Sequence, residues 1–158
     1  VDGVLLWLSS QSWADTAKIA LLGWSLGGTT VLVSTDTNRQ KVASRKVQPS
    51  VAIAFYPGCS DALKSKYRPH VPLVMMLAEL DDWTPPGPCI ELAKETGTEL
   101  HVYPESYHDF DNPVGSVRIR TDVANGVNPG GGVHVGRNPQ TGPQAWEQVL
   151  RTLRNRWH

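Results

Sequence analysis

The sequence predicts an α/β fold, a parallel sheet flanked by helices, on three observations. Short, continuous apolar runs recur along the chain and alternate with segments of helical spacing. The runs lack the polar–apolar alternation of a half-wet strand, as expected where helices cover both faces of a sheet. One of them, Ile19-Ala-Leu-Leu, enters Gly23-Trp-Ser-Leu-Gly27, the signature of a strand, a sharp turn and a helix. At 158 residues the chain has one domain's length, and residues 1–158 are expected to form one.

Each element has a local cause. Val1, Val4, Leu5 and Leu8 recur at helical spacing and place an opening helix that ends near Ser9-Ser-Gln-Ser12. Lys18 to Gly23 is the first strand, and Leu26 to about Thr35 the helix after it. A polar, basic stretch from Asn38 to Ser50 leads to a second strand, Val51 to Tyr56, stopped by Pro57-Gly58. Pro72 opens a third, Leu73 to Ala78. Pro85, Pro86 and Pro88 suit the first turn of the next helix, where a missing N–H costs nothing, and Gly97 stops that helix after Thr96. Glu99 to Tyr103 is the fourth strand. Asn138-Pro139 caps a last helix with Trp146, Val149, Leu150, Leu153 and Trp157 on one stripe. The Gly-, Asn- and Val-rich connection from Phe110 to Asn138 is too long for a turn and reads as a functional loop or a short hairpin over a site.

Composition removes several function classes. Fifteen basic and fifteen acidic residues balance, so neither nucleic acid nor an anionic membrane is an expected partner. No run approaches the length of a membrane span, and no signal-peptide pattern marks the start, which leaves the address open between cytoplasmic and exported. No Cys or His cluster has zinc spacing, so no metal is expected, and no motif calls for a cofactor.

The Gly-x-Ser-x-Gly turn carries the chemistry. It lifts Ser25 above the end of its strand as a nucleophile, while tight doubling back leaves no room for side chains at positions 23 and 27. Gly28 lets the following helix pack close to the sheet. Leu26 begins that helix, so its backbone N–H is a candidate oxyanion donor. A serine nucleophile needs a base, and the base an orienting acid. Asp81 and Asp82 follow the third strand and His108 follows the fourth, at the edge of the sheet where Ser25 sits. The chain order Ser, Asp, His is that of the α/β-hydrolase triad. Of the other histidines, His101 lies in a strand, His70 at the opposite edge and His158 at the terminus, while His134 in the glycine-rich segment could approach the pocket. Trp24, Tyr56, Trp83 and Tyr107 fall near the same edge and are candidates for an aromatic substrate pocket or for ordinary packing.

Gly-Trp-Ser-Leu-Gly-Gly, Phe-Tyr-Pro-Gly-Cys, Glu-Leu-Asp-Asp-Trp-Thr-Pro with Cys89 beyond it, Tyr-His-Asp-Phe-Asp and Gly-Val-His-Val-Gly together resemble the dienelactone hydrolase family over nearly the whole chain. The resemblance implies the α/β-hydrolase fold, Ser25 as nucleophile and His108 as base. It favours Asp81 as the acid, four residues before Pro85, and leaves Asp82 to cap the following helix. The founding members carry a cysteine at the elbow, so Ser25 turns the expectation toward general hydrolysis of carboxylic esters or lactones through an acyl-enzyme. A peptidase of the same fold is a weaker reading, because nothing indicates a propeller or cap domain.

Cys59 follows the second strand and Cys89 opens the helix after the third, at one sheet edge, where their Cα atoms could come within about 6 Å. A bridge, which would favour an exported protein, and a pair of buried free thiols are both open. The family also has strands before the elbow, and an early loop there supplies a second oxyanion donor. The chain therefore resembles a C-terminal portion lacking the N-terminal strands. The expectation is an exposed edge at Lys18 to Gly23 that favours self-association, with weak esterase activity or a non-catalytic binding role.

Overall fold

The computed structural model describes residues 1–123 and 125–158. Helix α1 (Asp2–Ser9) and a 3-10 turn (Thr16–Lys18) precede strand β1 (Ala20–Trp24), which runs through Ser25 into α2 (Leu26–Thr35). A short α3 (Gln40–Ala43) leads to β2 (Val51–Phe55), α4 (Ser60–Lys64) and β3 (Leu73–Ala78). Then come α5 (Gly87–Thr96), β4 (Glu99–Tyr103), β5 (Arg118–Arg120), β6 (Val133–Val135) and α6 (Thr141–Trp157). Strands β1 to β4 form one parallel sheet in chain order, and β5 and β6 form an antiparallel hairpin.

The continuous apolar runs are divided between two helical layers by the two-residue period of a strand. Ala52, Ala54, Met75 and Leu77 join Val31, Leu32, Leu92 and Ala93 from α2 and α5 in one core. Ile53, Phe55, Val74 and Met76 face the other way, onto Phe110 and onto Ala145 and Val149 of α6. Every residue of β2 and β3 is buried, which is why neither strand shows alternation.

Some local expectations are corrected. Strand β1 starts two residues later than expected, because Asp15 caps a 3-10 turn by accepting from Ala17 N (2.9 Å). The last helix begins only at Thr141, with Gln140 and not Asn138 at its N-cap; Asn138 Oδ1 accepts from Gln140 N and Thr141 N in the turn that leads into it. Its stripe is rotated: Ala145 and Val149 are buried, whereas Trp146 and Leu150 are exposed. The long connection forms the hairpin, and β6 lies beside the loop after β4 through a bridge between His108 and Val135.

The elbow's crowding is one-sided. A Cβ on Gly23 would lie 2.2 Å from the Gly27 carbonyl oxygen, and one on Gly28 2.8 Å from the Phe55 carbonyl oxygen. A Cβ on Gly27 would meet nothing within 4 Å. Gly27 contributes its backbone to the close approach, and its own Cβ direction is open, contrary to the expectation that both glycines lack room. Gly23→Ala should therefore lower stability by about 3 kcal/mol. Gly27→Ala, within a helix, should raise it by about 0.5–1 kcal/mol; urea unfolding midpoints of the two variants measure the contrast.

The Cys59 and Cys89 sulfurs are at bonding distance, with Cα atoms 5.0 Å apart. The bond joins the loop after β2 to the first turn of α5, closing a separation of 30 residues. Thiol titration of denatured, unreduced protein should find no free thiol. Reduction should cost about 3–4 kcal/mol by the chain-entropy model.

Candidate active site

The ends of β1, β2, β3 and β4 lie at one edge of the sheet, because parallel strands joined by crossovers all finish on the same side. Ser25 follows β1 directly and holds φ 53°, ψ −118°, outside the regions that an L-residue ordinarily occupies. Its N–H donates to the Phe55 carbonyl (3.0 Å), and its carbonyl accepts from Thr29 N (2.9 Å). The turn is thus clamped to β2 on one side and to α2 on the other.

His108 Nε2 lies 2.8 Å from Ser25 Oγ, and its Nδ1 lies 2.7 Å from Asp81 Oδ2. A carboxylate only accepts, so the imidazole proton sits on Nδ1 and leaves Nε2 free to accept the serine proton. His108 and Asp81 are both buried, at 3% and 4% exposure, which removes the water that would compete for their hydrogen bond. Asp81 Oδ1 also accepts from Trp83 N (2.9 Å) and Thr84 N (2.8 Å). The Thr84 hydroxyl stands 2.9 Å from Asp81 Oδ2, 3.1 Å from the Tyr56 carbonyl and 3.1 Å from His108 Nδ1. It ties the loop after β3 to the end of β2.

Aromatic rings fix the imidazole from two directions. Tyr56 has its ring centroid 4.4 Å from that of His108, and Trp83 lies at 4.8 Å. Burial pushes the Tyr56 hydroxyl far above its ordinary pKa, with the Asp111 carboxylate beside it adding to the shift. Tyr56 and Trp83, with Trp24, Ser25, His108 and Val135, line a cavity of about 280 Å³. Asp109, Arg118 and Arg120 complete the wall. Tyr107 is not in that lining; it stacks on His134 at 4.8 Å.

Asp82 does not cap α5. It accepts from His134 N (2.9 Å) and pairs with His134 Nδ1 (2.7 Å), and its carbonyl accepts from Val127 N. Pro86 occupies the helix N-cap instead, without a side-chain bond. Asp82 is drawn away from the helix because the hairpin offers it a backbone donor and an imidazole donor together. His134 is thereby held by Asp82 and is not part of the cavity wall. His101 pairs with Glu99 at the sheet's outer strand. Among the described residues no group of His, Cys, Asp and Glu could hold a metal ion, and no helix is long and apolar enough to cross a membrane.

Sequence reasoning missed Thr84, Asp111 and the two arginines. Thr84 lies three residues after Asp81 in the spacing of an Asx or ST turn, a local signal that was readable. Arg118 and Arg120 sit on a strand of three residues in the glycine-rich segment, where no periodicity marks which side chains face inward.

The sequence pattern of the dienelactone hydrolase family matches residues 2–156. The chain belongs to the dienelactone hydrolase family. No curated protein matches it in sequence. Among solved structures it is similar to a carboxylesterase of Lactobacillus plantarum, with 15% identity and a TM-score of 0.61 over 96% of this chain and 65% of that one. A Klebsiella pneumoniae protein assigned as a dienelactone hydrolase gives 15% identity and a TM-score of 0.65 over 96% and 57%. Esterase 2 of Thermogutta terrifontis, solved phosphoramylated by tabun, gives 15% and 0.62 over 96% and 60%. At such identities the likeness establishes the α/β-hydrolase fold. The chain spans 57% to 65% of the length of these structures.

The two neighbouring aspartates give a sharp contrast within the family fold. Asp81→Asn should lower the rate of p-nitrophenyl ester hydrolysis by about 10⁴-fold, since an amide there favours the wrong imidazole tautomer. Asp82→Asn should leave the rate within a few-fold, because Asp82 bonds to His134 and not to His108. Initial rates of the two variants decide between them.

Proposed function

We propose that this chain hydrolyses carboxylic esters or lactones through Ser25, His108 and Asp81. The observation that carries the proposal is the continuous hydrogen-bonded line from Ser25 Oγ through the His108 ring to Asp81 Oδ2. Family membership supports the class of reaction. In the proposed course Ser25 Oγ attacks the substrate carbonyl carbon as its proton passes to His108 Nε2. Asp81 holds the ring and stabilises the imidazolium that results. The oxyanion faces the N–H of Leu26, which lies in the first turn of α2 and has no acceptor within that helix. His108 then protonates the departing alcohol or lactone oxygen, and water, deprotonated by the same imidazole, releases the acid and restores Ser25.

The wall of the cavity supports an acidic preference. Arg118 and Arg120 bring two guanidinium groups to a space that also holds one carboxylate, Asp109. Arg120 is engaged twice by Asp122 (3.0 and 2.8 Å) and stacks on Trp83 at 5.2 Å, which leaves Arg118 as the freer cation. An ester or lactone with a second, ionised carboxyl group would meet Arg118 at the mouth.

The test uses p-nitrophenyl acetate and its carboxylate-bearing analogue, p-nitrophenyl hydrogen succinate, with a peptide p-nitroanilide as the amide control. Ser25→Ala should abolish turnover of both esters while the unfolding midpoint stays unchanged, and the anilide should not be cleaved by either protein. Arg118→Ala should lower kcat/KM for the succinate about 10-fold, the scale of one charge-assisted hydrogen bond, and leave the acetate within about twofold. Activity surviving in Ser25→Ala would overturn the mechanism, and an equal loss on both esters in Arg118→Ala would overturn the acidic preference.

A further inference from the structure

Asp111 is a buried carboxylate that the proposed mechanism does not use. It lies three residues beyond His108, with 6% of its surface exposed. Its two oxygens serve different strands. Oδ2 accepts from Trp24 Nε1 (2.8 Å), and Oδ1 accepts from the Tyr56 hydroxyl (2.7 Å). Its backbone carbonyl accepts from Trp146 Nε1 (3.2 Å) on α6. The first turn of the same helix presses on its backbone, where a Cβ on Gly142 would come within 2.9 Å of the Phe110 carbonyl oxygen and 3.4 Å of Asp111 Cα. The carboxylate therefore sits on a fixed support.

Both of its partners border strained backbone. Trp24 ends β1 and precedes Ser25, which holds φ 53°. Tyr56 follows β2 and holds φ 35°, also positive for a residue with a side chain. Such conformations persist only when surrounding bonds over-determine them, and they gather where a site is built in advance. Tyr56 is also the ring packed 4.4 Å from His108. One carboxylate thus joins the nucleophile's strand, the ring that backs the base and the loop that carries the base. Burial raises its pKa while the bonds from Tyr56 and Trp24 lower it, so the carboxylate depends on those two donors.

We propose that Asp111 is a positioning residue of this site, which sets the distance between Ser25 Oγ and His108 Nε2 by accepting from Trp24 and Tyr56 together. It touches neither substrate nor the reacting atoms. Its effect is to hold two turns and a loop in the one arrangement where the serine proton can reach the imidazole. The inference rests on the serine-hydrolase reading given above. It adds a fourth residue, on which the alignment of the other three depends.

Steady-state hydrolysis of p-nitrophenyl acetate by five proteins tests it: the unaltered chain, Asp111→Ala, Asp111→Asn, Trp24→Phe/Tyr56→Phe, and Asp111→Ala in that double-Phe background. Asp111→Ala should lower kcat by about 10- to 100-fold, the scale of a displacement of about 1 Å at a reacting centre, with KM within about twofold. Asp111→Asn should recover most of that loss, since its oxygen accepts from Trp24 and its amide can donate to the Tyr56 hydroxyl. In the background lacking both donors, Asp111→Ala should add little to the loss already present, as expected of groups acting as a unit. Full kcat in Asp111→Ala, an equal loss in both backgrounds, or a change confined to KM would each overturn the proposal. If Asp111→Ala does not fold, Asp111→Asn against the double-Phe protein decides: Asn as damaging as the double Phe refutes positioning by these two bonds. An unaltered chain without turnover would refute the hydrolase reading and this inference with it, whereas turnover abolished by Ser25→Ala but indifferent to Asp111 would refute this inference alone.

Discussion

The site depends on how closely the chain passes itself at Gly23 and Gly27. The end of β1 and the start of α2 approach until a single methyl group at Gly23 would meet the Gly27 carbonyl oxygen at 2.2 Å. That approach forces the turn between them into a conformation that only surrounding bonds can hold. It leaves Ser25 above the strand end with its N–H on β2 and its carbonyl on α2. A wider turn would point the hydroxyl elsewhere, and no adjustment of His108 could follow it, because His108 is buried and bonded at both ring nitrogens. The strained turn and the buried dyad are complementary: one is fixed by backbone crowding, the other by exclusion of water.

The parallel sheet supplies the remaining order. All four strands end at one edge, but β1 and β4 are the outermost of them, so the segment after β4 crosses the ends of β3 and β2 to reach β1. Ser25 and His108 are separated by 83 positions and Trp24 and Asp111 by 87, and both pairs are in direct hydrogen bonds. The turn after β1 is a single residue, Ser25, whereas the long connection from β4 to α6 carries His108 and Asp111. The loop after β3 folds around Asp81 itself, whose Oδ1 takes two backbone N–H groups from its own turn. The disulfide to Cys89 anchors the first turn of α5 that follows it. The hairpin closes the site from above, and Asp82 attaches it through His134.

The parts legible in the sequence were those with local causes. Fully buried strands read as apolar runs, and proline and glycine marked the limits of α5 and the turn at Ser25. The order of Ser25, Asp81 and His108 at one sheet edge followed from counting strands. What escaped were features decided by long-range contacts. Asp111 closes the Tyr-His-Asp-Phe-Asp motif, but no local pattern marks it as buried; its partners lie 55 and 87 positions away. For Asp82 the nearest use visible in the sequence is a helix cap, whereas the donor that wins lies 52 residues further on. The spacing of Gly23 and Gly27 implies a close approach but does not tell which of the two has a crowded Cβ direction, and that one is Gly23.

The proposed hydrolysis stands or falls with Ser25 as a nucleophile activated by His108. The most direct measurement is intact-protein mass spectrometry after incubation with a p-nitrophenyl alkylphosphonate ester, followed by peptide mapping. One adduct per chain is expected, located on Ser25, absent from Ser25→Ala and formed at least about 100-fold more slowly in His108→Ala, the low end of general-base contributions. No adduct, an adduct on another residue, or labelling of Ser25 at an undiminished rate in His108→Ala would contradict it.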